Sequence, residues 1–114
     1  MTKLAEAISH EEGFGIPGTL PTRNHNPGDL RHSPHSQHTV DAPNAIGNID
    51  NDADGWADLE RQLRIFAERK LTLRQCVAIY APPNENNSAQ YLAFVCGYLG
   101  LTPDDTVAHA LTIQ

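Results

Sequence analysis

Basic residues are scarce in this chain: 8 Lys and Arg stand against 14 Asp and Glu, a formal net charge of −6 at pH 7. No run of Lys or Arg exists to follow a phosphate backbone, so nucleic acid is not an expected partner. Long apolar runs are lacking as well. No window approaches the roughly 18 apolar residues a membrane span requires, and none is expected. The opening stretch "MTKLAEAISHEEG" has one Lys but no apolar segment before its charges, so no signal peptide is read and synthesis in the cytoplasm is the expectation. Cysteine is limited to Cys76 and Cys96, both inside apolar helical patterns, which predicts two buried free thiols rather than a disulfide scaffold. Acidity by itself names no partner; it bears on solubility and on repulsion from anionic surfaces.

At 114 residues with 39% hydrophobic content, the chain is read as one domain over residues 1–114. Its helix signals are clear. Thr2 caps a helix over 3–12, with Gly13 as the stop. Trp56, Leu59, Leu63 and Phe66 recur at spacings of three and four in "DGWADLERQLRIFAERK", an amphipathic stripe. Thr72 and Gln75 form a capping box before a short helix stopped at Pro82-Pro83, and Asn87 or Ser88 opens a further helix ending at Gly100. In "TPDDTVAHALTI", Thr102 reads as a cap with Pro103 in the first turn. Between about 14 and 55 no helical periodicity survives, and "HTVDA" and "AIGNID" suggest short strands or a loose hairpin. The expected fold is therefore mainly α: about five helices, with a loop-rich lobe between the first and second. A loop region this long in a small domain is often a binding region.

Glu11 and Glu12 end the first helix, where the dipole disfavours negative charge. With Ile8 at the centre of the buried face, the 100° helical step puts Glu12 about 40° away and Glu11 about 60° away. Glu12 thus projects along the apolar stripe at the helix end. Burial and the negative end of a helix both favour the protonated carboxyl, the form needed by a general acid acting on a glycosidic oxygen. Two solvated glutamates at a frayed end would satisfy the same pattern. Just beyond them, "PTRNHNPGDLR" supplies Arg23, Asn24, Asn26 and Arg31, side chains suited to hydrogen-bonding sugars or acyl groups. Turn formation beside Pro27-Gly28 is the competing role for Asn26 and Asp29.

Taken together, "EGF…PGTLPTRNHNPGDLR", "DGWADLERQL" and "YAPPNENNSAQYLAFV…LG" resemble, in that order, small phage and prophage domains of the lysozyme-like superfamily. Those domains show an EGF-type start, an RNNNPGNL loop, a GW-x-x-L-E helix and a YAPP-x-x-NN-T-x-x-Y segment, and the resemblance spans residues 4–100. It implies the fold of lytic transglycosylases and goose-type lysozymes, whose catalytic glutamate ends the first core helix and is followed by a small residue. That maps onto Glu12, with Gly13 behind it. It also implies substrate contacts from Tyr80 and from Asn84 or Asn86, beside Arg23 and Asn26. Two positions depart from the pattern: His25 and Asp29 stand where the loop usually has Asn. The spacing of T4-type phage lysozymes is absent, since Pro21 lies nine residues after Glu12.

The activity so implied is cleavage of the β-1,4 bond between N-acetylmuramic acid and N-acetylglucosamine by a single glutamate, in a monomer whose partner is the peptidoglycan glycan strand. No cofactor and no metal is called for. A phage-encoded or prophage-derived protein of this type would reach the wall after release or within a particle. Other classes remain open at this level. A lysozyme-like fold could serve as an inactive structural or virion component, and His32, His35 and His38, with His10 and His25, could form a metal site, though no Cys or HExxH pattern accompanies them. Asp50, Asp52 and Asp54 could supply a second carboxylate or simply form a solvated turn. Trp56 could stack on a sugar, or pack in the core as its spacing indicates.

Overall fold

The computed structural model describes residues 1–37, 46–82 and 87–114. Among these, six helices follow in order: α1 (Lys3–Glu12), α2 (Leu20–Arg23), α3 (Asp52–Glu68), α4 (Leu73–Tyr80), α5 (Ser88–Leu99) and α6 (Val107–Ala110). The described residues hold no regular strand, only isolated antiparallel bridges at Gln37–Asn48 and Thr72–Thr106. The first bridge joins Gln37, just before "HTVDA", to Asn48 within "AIGNID"; "HTVDA" itself lies outside the described residues.

The bundle forms where the apolar stripes predict. Leu4 and Ile8 of α1, Leu59, Leu63 and Phe66 of α3, Leu73 and Val77 of α4, and Tyr91 and Val95 of α5 share one buried cluster. α1 lies against α5 and α3, and α6 closes the cluster against α3 and α4. Thr2 fastens the start of α1 to α3, its backbone N–H donating to Glu60 Oε1 at 2.7 Å. Cys76 and Cys96 are free and buried, as expected of two apolar thiols. Burial pushes the Cys76 thiol up to about 12, which keeps it protonated and inert.

Two elements differ from the sequence expectation. α2 is a helix of 4 residues with Pro21 in its first turn, too short to leave a periodic trace. The last helix begins at Val107, capped by Thr106 Oγ1, which accepts from the His109 N–H at 3.0 Å; Thr102 does not cap it. The reason is tertiary. The Leu73 and Arg74 N–H groups, orphans of the first turn of α4, donate to the carbonyls of Asp105 (2.8 Å) and Pro103 (3.0 Å). The Asp105 carboxylate also accepts from the Thr102 N–H at 2.8 Å, so residues 102–105 close into a turn that serves α4.

Candidate active site

α1 ends abruptly because Gly13 takes the left-handed conformation (φ 87°), with its N–H donating to His10 O at 3.1 Å and the Phe14 N–H to Ser9 O at 3.0 Å. A Cβ at Gly13 would meet Thr19 Cγ2 at an ordinary 3.6 Å, so the backbone angle, rather than space, selects glycine. Glu12 is therefore the last helical residue, and it is half-buried. Two phenols from other helices come to it: Tyr80 at the end of α4 and Tyr91 in the first turn of α5, their rings stacked at 6.4 Å. Among the described residues both hydroxyl oxygens are buried and neither meets a partner at full hydrogen-bond geometry, although the Tyr91 hydroxyl is within reach of Glu12. Burial pushes both phenols well above their ordinary range; after burial, Cys76 and Glu12 add to the rise at Tyr80, and Glu12 leads the remaining causes at Tyr91. Both phenols thus stay protonated at any physiological pH and present hydrogens near the carboxylate. Phe14 packs edge-on against Trp56 at 5.4 Å just past the turn. Trp56 also packs partly buried against the core, the structural role its helical spacing indicated.

Asn26 requires a correction. Its side chain is 0% exposed and its amide is committed inside the lobe. Nδ2 donates to Leu30 O (2.7 Å) and Gly47 O (2.9 Å), while Oδ1 accepts from the Leu30 N–H (3.0 Å). It clasps the loop and has no face for a substrate. Arg23 is exposed on α2, and Tyr80 is close enough to Glu12 for the carboxyl to act on its phenol electrostatically. Asn84 and Asn86 lie outside the described residues.

The two departures from the resembled loop also acquire a physical account. His25 and Asp29 both sit at φ 51°, a left-handed region that Asn, Asp and His tolerate far better than other side chains. His25 additionally places Nδ1 2.7 Å from Asp52 Oδ1, joining the loop to the start of α3. Gly55 lets this happen: a Cβ there would run into the His25 backbone carbonyl and Pro27.

A second pin was not visible in the sequence. Asp58, on the buried side of α3 and 2% exposed, accepts from Ser33 Oγ (2.5 Å) and the His35 N–H (2.9 Å), with His35 Nδ1 2.6 Å from its other oxygen. Burial works to raise its carboxyl, but the hydrogen bonds from Ser33 and His35 outweigh it and hold the group below its ordinary range. His35 is shifted upward, chiefly by its hydrogen bond to Asp58. The histidine that could have signalled metal is therefore an Asp58 partner. Among the described residues no group of three His, Cys, Asp or Glu converges as metal ligands; His38 lies outside them. In the acidic run before Trp56, Asp52 is paired to His25 and the Asp54 carboxylate accepts from Asn51 Nδ2 at 3.1 Å. Only the identity of Asp58 as a buried acid on an otherwise apolar stripe could have marked this pin. No protein-family model, curated protein or solved structure matches this chain.

Proposed function

We propose that this chain is a lysozyme-like peptidoglycan glycosidase of phage or prophage type, with Glu12 as its acid and base. The observation that carries the reading is the convergence of Tyr80 and Tyr91 on a half-buried glutamate ending the first core helix. Protonated Glu12 gives its proton to the oxygen between N-acetylmuramic acid and N-acetylglucosamine as that bond breaks. The positive charge developing at the sugar is stabilised by the neighbouring 2-acetamido group. The phenol hydrogens of Tyr80 and Tyr91 are available to hold the carboxylate left behind, a positioning role. Glu12 then accepts a proton from the muramic 6-hydroxyl, leaving an anhydro end, or from water, leaving a reducing end.

Digestion of purified peptidoglycan, with products identified by mass spectrometry, tests this for wild type, Glu12→Gln and Glu11→Gln. Muropeptide release should fall by about 10²-fold or more in Glu12→Gln and stay near wild type in Glu11→Gln. Anhydro products identify a lytic transglycosylase and hydrated products a lysozyme. A folded wild type that releases nothing from several wall types removes the enzyme reading and returns the structural-protein alternative.

A further inference from the structure

Tyr80 has a second neighbourhood. Besides approaching Glu12, it lines an open groove of about 340 Å³ between the loop-rich lobe, α3 and α4. The deep part of this groove is apolar. Phe66 is buried there, its ring meeting Tyr80 edge-on at 6.3 Å, and Ile79 beside it is 52% exposed. Exposed Arg31, from the lobe, and exposed Arg69, just past the end of α3, bring two guanidinium groups to the same groove, whose lining also includes Gln62. The chain has only 8 Lys and Arg in all. Among the described residues neither guanidinium is held in an ion pair. Asp29 is the acid that acts on Arg31, with burial pushing its carboxyl up and Arg31 pulling it down.

Two like charges facing one apolar-floored groove are best accommodated by an anion that also carries apolar groups. A guanidinium recognises a carboxylate through a planar fork of donors, and Gln62 can both donate to and accept from a peptide bond. We propose that this groove binds a carboxylate-bearing peptide. On the peptidoglycan reading above, on which the identity of the occupant rests, that peptide is the stem attached to the muramic acid. Tyr80 is the residue shared by the groove and the surroundings of Glu12, and on this proposal a strand whose stem lies in the groove would present its stem-bearing sugar on the Glu12 side. Arg31 and Arg69 are then specificity determinants that favour stem-bearing strands over bare glycan.

The test separates binding from cleavage. The full-length protein is titrated, by NMR of its Arg Nε–H groups, with the free tripeptide L-Ala-γ-D-Glu-diaminopimelate and with the same peptide esterified at its carboxyls. Saturable shifts at Arg31 and Arg69 with the free peptide are expected, with affinity reduced about tenfold by Arg31→Gln or Arg69→Gln and by esterification. Equal binding by the esterified peptide or by both variants, or no saturable binding, overturns the proposal. In a parallel arm, wild type and Arg31→Gln/Arg69→Gln digest intact wall and wall stripped of stems by an amidase. The double variant should lose the preference for intact wall over stripped wall; an unchanged preference overturns the assignment. If no wall is cut yet the peptide still titrates, the glycosidase reading fails and the carboxylate groove stands.

Discussion

The helical bundle and the loop-rich lobe are built on different principles. Among the described residues, the buried core cluster draws its members from α1 and from α3 onward, while Pro27, Gly28 and Ile49 are buried within the lobe, Gly28 directly over Leu59. The bundle is stabilised by apolar area removed from water, which is non-directional and spread over many contacts. The lobe instead depends on a few directional bonds: the Asn26 clasp, the His25–Asp52 pair and the Asp58 pin on Ser33 and His35. It is seated on the first turns of α3 through the close approach that Gly55 permits. Between these two regions lie Glu12, at the last residue of the bundle's first helix, and Tyr80, whose groove borders both. On the glycosidase proposal, a site so placed would take its acid from the packed part and its adjustable contacts from the polar part.

That contrast can be broken by mutation, in descending order of effect. Leu63→Ala, at a fully buried core position, should cost about 3 kcal/mol and lower the urea midpoint of the whole molecule. Gly55→Ala forces the His25 carbonyl and Pro27 away from α3 and should cost about 2 kcal/mol. Hydrogen exchange should then show faster opening at residues 24–30 than in α5, because the bundle core is untouched. Uniform acceleration across both regions would mean that lobe and bundle open as one unit. Asn26→Ala leaves Gly47 O and the Leu30 N–H without their partner and should cost about 1–2 kcal/mol, again read by exchange within the lobe.

The smallest effect is that of pH on the Asp58 pin. His35 is shifted up, so its contribution is complete below the ordinary His value of 6.5 and is lost as pH rises through the higher folded value. Asp58 is shifted down, so its contribution is complete above the ordinary Asp value of 3.8 and is lost as pH falls through the lower folded value. The pin is therefore strongest between about pH 4 and 6.5. Lobe protection should decline above that window in wild type and become insensitive to pH there in His35→Gln.

Legibility followed the same division. The α1 and α4 caps were readable because a helix end needs particular residues at fixed offsets: Thr2 and Gly13 for α1, and the Thr72–Gln75 box for α4. The core stripe of α3 was readable because apolar residues must recur every three or four positions to face one side. Glu12 could be placed at the edge of the buried face of α1 by counting angles from Ile8. Asn26, by contrast, reads equally as a sugar ligand or a loop clasp, since its amide is suited to both. Its complete burial decides the matter. Thr102 and Thr106 are both acceptable caps in isolation, and the needs of the α4 N-terminus chose between them.

Sequence alone determined that this chain is mainly helical, where its principal helices lie, which of their faces are buried, and that a glutamate ends the first of them. These follow from interactions between residues close along the chain, whose geometry is set by the helix itself. Only the tertiary structure decided that Tyr80 and Tyr91 meet at Glu12, that Asp58 captures Ser33 and His35, and that Arg31 and Arg69 border one groove. Each of those juxtapositions joins residues distant in sequence, and their positions depend on how whole elements pack, which no local pattern encodes.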